Sequence, residues 1–155
     1  MFHSRTSNNQ INKIHERALR IVYNDDNSTF TELLSIDGSF TIHERNIHTL
    51  AIELYKIVRG LSPQIMNEVL PLKETNTYCS RFPFKSRNVN TVKYGTETIS
   101  FLGPKIWDIL PSYIRNSSTL LEFKRNIKQW KPIECPCRLC KTYISGVGFL
   151  DGIRV

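Results

Sequence analysis

The sequence predicts a mainly α-helical fold: a small domain of about five to six short helices, with one β-hairpin near residues 88 to 102 and a cysteine-rich C-terminal tail. Three observations predict it. Apolar residues recur at three- and four-residue spacings, Thr-x-x-Glu capping boxes stand ahead of three such runs, and the β-branched, aromatic-rich stretches Val89 to Tyr94 and Thr96 to Leu102 flank Gly95. The expected division is a helical domain over 1–131 and a tail over 132–155.

Taken in order, Ile11, Ile14, Ala18, Leu19 and Val22 form the stripe of an amphipathic helix over residues 9 to 23. Thr29 with Glu32 opens a short helix through Leu33, Leu34 and Ile36, and Gly38 stops it. Thr41 with Glu44 starts the clearest helix, where Ile47, Leu50, Ala51, Leu54, Ile57 and Val58 face one way until Gly60. Ser62 and Pro63 read as the cap and first position of a short helix through Ile65, Met66 and Val69, broken by Pro71.

From Lys73 to Arg87 no period marks a helix or strand, which predicts a loop, and the hairpin follows it. Gly103 and Pro104 then punctuate, so that Ile106, Trp107, Ile109 and Leu110 begin a compact helix ended by Pro111. Thr119 with Glu122 launches a last helix in which Leu120, Phe123, Ile127 and Trp130 share an apolar face while Lys124, Arg125, Lys128 and Lys131 turn elsewhere. After Pro132 the apolar residues Ile144, Val147, Phe149 and Leu150 are too sparse for a core of their own. Ile-His-Glu-Arg occurs at 14 to 17 and at 42 to 45, but the residues after it diverge and no third copy exists, so it is no structural repeat.

With 155 residues and 40% hydrophobic content the chain can build one modest core. No apolar run approaches the roughly eighteen residues of a membrane span, and Met1 to Arg5 opens no signal peptide, so the expected setting is intracellular, nuclear or cytoplasmic, without a membrane. The charge of +7 is unevenly spread: residues 1 to 60 carry 7 basic and 7 acidic side chains, whereas residues 61 to 131 carry 11 and 5. That excess suits a polyanionic partner, since neutralising phosphates releases counterions; a merely solvated basic surface is the alternative.

Tyr23, Asn24, Asp25 and Asp26 spell the Tyr-x-Asp-Asp string that holds two metal ions in reverse transcriptases. Two-metal polymerisation needs a further carboxylate from an earlier strand, yet the 22 residues before Tyr23 contain one acid, Glu16. Asp25 and Asp26 therefore read as an interhelical turn. His43, Glu44 and His48 approximate a zincin motif, but histidines five apart stand roughly 140° apart on a helix, too far to grip one ion. Glu44 reads as a cap, and the two histidines as surface or rim residues.

Cys135, Cys137 and Cys140 form a Cys-x-Cys-x-x-Cys cluster that supplies three thiolates suited to a structural zinc. A tetrahedral site needs a fourth ligand: Cys79, a remote histidine, or a residue of a partner chain. The alternative is three reduced thiols in a flexible tail, with no cofactor. No Gly-rich phosphate loop and no Gly-x-Ser-x-Gly elbow is present, so nothing points to an enzyme acting on its own.

Several strings in order carry a resemblance. They are Ile14-His15-Glu16-Arg17-Ala18-Leu19-Arg20-Ile21-Val22-Tyr23, Ala51-Ile52-Glu53-Leu54-Tyr55-Lys56, Gly60-Leu61-Ser62-Pro63, Val89-Asn90-Thr91-Val92, Tyr94-Gly95-Thr96-Glu97-Thr98, Gly103-Pro104-Lys105-Ile106-Trp107, Phe123-Lys124, and Cys135-Pro136-Cys137-Arg138-Leu139-Cys140-Lys141. Together they resemble the C-terminal region downstream of the polymerase in non-LTR, jockey-like, LINE-type retrotransposon reverse transcriptases. The resemblance implies a parent RNA-directed DNA polymerase, with an upstream endonuclease, copying element RNA at a nicked target. It implies RNA or DNA as partner, together with the parent's polymerase region. The polymerase aspartates have no counterpart here, and Cys79 lies outside the resembling pattern.

Two function classes follow. In the first the chain is a nucleic-acid-binding accessory module, with Lys124, Arg125, Lys128 and Lys131 contacting phosphates and Arg81, Phe82, Phe84, Lys85 and Arg87 forming a basic-aromatic loop for single strands. In the second it is a protein-interaction or structural domain whose basic helix is a solvated face and whose tail is a clip. Steep salt dependence of RNA binding discriminates between them.

Overall fold

The computed structural model describes residues 5–73, 83–85 and 98–132. Among these the chain is mainly helical, in the order α1 (Arg5–Tyr23), α2 (Phe30–Asp37), α3 (Ile42–Val58), α4 (Ile65–Val69), α5 (Ile99–Ile109), α6 (Ser112–Arg115) and α7 (Leu120–Gln129). The single-turn α6 is the helix that the spacing of apolar residues does not predict. β-Pairing among the described residues is one antiparallel bridge, Leu72 with Phe84. The chain divides into two compact units, Met1–Ile47 and His48–Val155, with the boundary inside α3.

The first unit is assembled around α2. Its capping box is complete: the Thr29 N–H and hydroxyl donate to Glu32 Oε2 at 2.7 and 2.9 Å, and the Glu32 N–H donates back to Thr29 Oγ1 at 3.4 Å. At the other end Gly38 takes φ +67°, the left-handed turn that lets the Ser39 N–H reach the Leu34 carbonyl at 3.0 Å. Leu19 of α1 packs with Leu33 and Leu34, Phe30 leans on this cluster, and the His15 ring meets Phe30 edge-on at 5.8 Å. The Tyr23 hydroxyl donates to Asp37 at 3.0 Å, and Asn12 Oδ1 accepts the Ile42 N–H at 3.1 Å.

α1 differs from expectation. Of the stripe Ile11, Ile14, Ala18, Leu19 and Val22, only Leu19 is buried. The reason is facing: Leu19 meets α2, whereas Val22, Ile11, Ala18 and Ile14 lie roughly 60° to 140° round the helix from it, at about 100° per residue. Between them Asp25 closes a turn on itself, its carboxylate accepting the Asn27 and Ser28 N–H groups at 2.9 Å and the Ser28 hydroxyl at 2.6 Å. The Tyr-x-Asp-Asp string is thus an interhelical turn following Tyr23, and its first aspartate is engaged by its own backbone.

The second unit is held by a run of aromatic rings. Phe84 meets Trp107 of α5 edge-on at 5.8 Å, Trp107 stacks with Phe123 of α7 at 6.5 Å, and Phe123 stacks on Tyr55 of α3 at 4.3 Å. Around them Leu54, Ile57, Leu70, Leu102, Ile106, Leu110, Ile114 and Ile127 are all buried. The Ser117 carbonyl accepts both the Tyr55 hydroxyl, at 2.8 Å, and Arg59 Nη2, at 2.7 Å, so both of its lone pairs are used.

The end of the hairpin expected near 88 to 102 requires correction. Residues 88 to 97 lie outside the described residues, but Ile99 to Leu102 are the first turn of α5, and Gly103 and Pro104 lie within that helix. Read across the Gly-Pro pair, Leu102, Gly103, Ile106, Trp107 and Leu110 have the three-four period of a helix, and this burial outweighs the lost Pro104 donor. Gly103 is a point of close approach: a Cβ there would stand 3.0 Å from Leu54 Cδ2 and 3.4 Å from Leu70 Cδ2. A β-branched residue has no room.

Acid should destabilise the fold in two stages. Burial, followed by the charge of Arg45, holds the His15 pKa below its ordinary 6.5, so its contribution is complete above that value and declines as the pH falls through the lowered one. Asp25, Glu32 and Glu122 are each held below the ordinary carboxylate values of 3.8 and 4.5. The hydrogen bonds responsible come first from the Ser28 hydroxyl, the Thr29 backbone and the Ser118 hydroxyl respectively. Their contribution is complete above the ordinary values and lost as the pH falls below them. The expected melting temperature falls gently below about pH 6.5 and steeply below about pH 4; a curve flat from pH 7 to pH 3 would contradict this.

Candidate nucleic-acid interface

α7 begins at Thr119, whose extended backbone (φ −125°, ψ 156°) lets its hydroxyl oxygen accept the Glu122 N–H at 3.1 Å. The return half of the expected capping box is shifted by one residue. The Glu122 carboxylate accepts the N–H and hydroxyl of Ser118, both at 2.8 Å. The helix start is therefore fixed from two residues.

Phe123 and Ile127 are fully buried, and this sets the rotation of the helix. At about 100° per residue, Lys124, Lys128 and Arg125 then fall on one arc roughly 100° wide on the opposite side, and all three are exposed. Leu121, itself exposed, lies within the same arc. Lys124 and Lys128 are one turn apart, a like-charge pair that costs a few tenths of a kcal/mol unless an anion lies across it. Lys131 is exposed just beyond the helix.

The C-terminal end of α7 is anchored by a residue that sequence reasoning places on the rim. His48 is buried, and its Nε2–H donates to the Trp130 carbonyl at 2.9 Å while the two rings lie 6.2 Å apart. Leu120 and Trp130 are half-buried rather than buried. Trp130 is the C-cap, with an extended backbone, one residue past the last helical position. His43 is half-buried on α3.

The basic-aromatic loop is only partly described. Lys85 is exposed, but Phe84 is 3% exposed and its face is not open to a base: the ring is committed to Trp107. Two hydrogen bonds, Lys73 N–H to the Pro83 carbonyl at 2.7 Å and Lys85 N–H to the Pro71 carbonyl at 2.8 Å, pin the segment that carries Phe84. Arg81, Phe82 and Arg87 lie outside the described residues. The aromatic run links the strand-like base under Lys85 to the helix bearing Lys124, Arg125 and Lys128.

One cationic group escapes sequence reasoning. Lys105 is exposed, with its Nζ 3.9 Å from the centroid of the half-buried Phe101 ring one helical turn earlier. The four-residue spacing is visible in the sequence, but assigning residue 101 to a strand conceals it. Cys135, Cys137 and Cys140 lie outside the described residues; among the described residues no group of three or more His, Cys, Asp or Glu side chains is placed to hold a metal ion. No described helix is long and apolar enough to cross a membrane. Compared with family models, curated proteins and solved structures, the chain finds no match.

Proposed function

We propose that this chain is a nucleic-acid-binding accessory segment of a retrotransposon-type reverse transcriptase, working inside the cell beside the parent's polymerase region and without catalytic carboxylates of its own. The observation that carries the binding reading is the exposed arc of Lys124, Arg125 and Lys128 on a helix whose other face is locked into the core by Phe123 and Ile127. The ordered strings from Ile14 to Lys141 support the retroelement reading. A rigid cationic helix binds phosphate without ordering a loop first, so little conformational entropy opposes the contact. Lys131 and Lys85 are exposed as well.

Lys124→Ala combined with Lys128→Ala should leave the melting temperature nearly unchanged, because both side chains are exposed. The same pair should weaken RNA and DNA binding with little sequence preference and lower the salt slope by roughly two, if both side chains contact phosphate. Binding and slope at wild-type values would leave the helix a solvated face.

For the tail we propose that Cys135, Cys137 and Cys140 supply three thiolates to a structural zinc whose fourth ligand comes from elsewhere. Zinc would protect all three thiols from alkylation, and a chelator should abolish the protection. Equal alkylation rates with and without chelator would remove the site. A second reading, a protein-interaction domain, is favoured by the apolar surface that α1 leaves uncovered.

A further inference from the structure

α1 carries two separate apolar features. One is Leu19, which points into the small core with Leu33 and Leu34. The other is a continuous exposed arc. Counting about 100° per residue from Ile14, the residues Ile21, Ala18, Ile11 and Val22 fall between roughly −20° and +80°. Ile14 is 67% exposed, Ile21 81% and Val22 71%. An arc about 100° wide is the width that a helix ordinarily buries against a neighbour, and from Ile11 to Val22 it runs about 17 Å, three turns.

The edges of the arc are unlike. On one side it grades through His15 into the buried side of the helix. On the other stand Lys13 and Arg17, both exposed, at roughly −100° and −60°. The only acid on α1, Glu16, lies beyond them and is paired with Arg20 at 2.8 Å, so this flank keeps its positive charge.

We propose that this face of α1 docks an amphipathic helix of another protein that carries an apolar stripe and, along one flank, acidic residues meeting Lys13 and Arg17. The geometry selects against a second copy of this chain. An antiparallel pairing of two α1 helices brings like flanks together and sets Lys13 and Arg17 against their own equivalents, while a parallel pairing sets them against the apolar edge at Ile11 and Val22. An acidic flank satisfies the cations and the stripe at once. The inference is independent of nucleic-acid binding by α7.

The test is a display library of helical peptides with leucine fixed at the a and d positions and the flanks varied among Glu, Lys and Gln, selected on the full chain. Glu should be enriched on one flank, and the selected peptides should bind more weakly as salt rises. Ile14→Ser with Ile21→Ser should reduce their affinity at least about tenfold, as for loss of central apolar anchors, with an unchanged melting temperature because both positions are exposed. Arg17→Glu should move the preference from Glu-flanked to Lys-flanked peptides, and Lys124→Ala with Lys128→Ala should leave peptide binding intact. No enrichment, enrichment without flank preference, or equal binding by the Ile14 and Ile21 variant would overturn the proposal. A concentration-dependent dimer abolished by that variant would assign the face to a second copy, and vesicle binding abolished by it, with phosphatidylserine vesicles as probe, would assign it to a lipid surface. Either outcome also overturns the proposal.

Discussion

Phe123→Ala should cost about 3–5 kcal/mol of unfolding free energy, toward the upper end of that range for a buried aromatic ring. The ring is fully buried and stacked on Tyr55 at 4.3 Å, and it stacks with Trp107 at 6.5 Å. The vacated space has little means of collapse. The Tyr55 hydroxyl is held by the Ser117 carbonyl at 2.8 Å, and Trp107 is held edge-on by Phe84, so neither ring can close the cavity without breaking a contact of its own. Against a typical stability of about 5–15 kcal/mol for a whole domain, such a loss should move the urea midpoint far down at an unchanged m-value. The adjacent Lys124→Ala, on the exposed side, should stay within about 0.5 kcal/mol of wild type. A loss below about 1 kcal/mol for Phe123→Ala would show that the ring is not the keystone of this unit.

The contrast between those neighbours shows what can be read from sequence. Although Leu120 and Trp130 of the expected apolar face of α7 are only half-buried, Phe123 and Ile127 are buried and Lys124, Arg125 and Lys128 exposed, as helical phase predicts. The same holds for α2 and α3, where Thr29 with Glu32 and Thr41 with Glu44 mark the starts and form the reciprocal bonds expected of them. What escapes depends on distant partners. His48 is buried because the Trp130 carbonyl, 82 residues away, accepts from its ring. Phe84 resembles a stacking platform until Trp107 is known to lie against it. α5 is longer than its sequence suggests because Gly103 and Pro104 are local stop signals, overridden by the burial of Leu102, Ile106 and Trp107 on either side. The uncovered arc of α1 has the same cause: periodicity shows that a face is apolar, but not that its neighbour α2 packs on the side of Leu19 instead.

The small size of that neighbour sets the last expectation, that Leu33→Ala should cost about 2–5 kcal/mol and release α2 in particular. Eight residues are far below the length at which a helix holds together by itself in water, so α2 exists by virtue of its caps and the side chains it buries. The caps contribute modestly. Loss of the Thr29 side chain should cost roughly 1 kcal/mol, and strain at Gly38, whose φ is +67°, should cost a similar amount on substitution by alanine. Leu33 contributes more because it is fully buried, in a cluster with Leu19, Leu34 and Phe30, and its truncation leaves a gap at the centre of that cluster. Hydrogen exchange should locate the damage: in Leu33→Ala the α2 amides and the Ser39 N–H bonded to the Leu34 carbonyl should lose protection first. Leu121→Ala, the same chemical change at an exposed position, should alter neither stability nor exchange beyond about 0.5 kcal/mol. If Leu33→Ala behaves like Leu121→Ala, then the cluster around Leu33 does not hold α2 in place and the caps alone must do so.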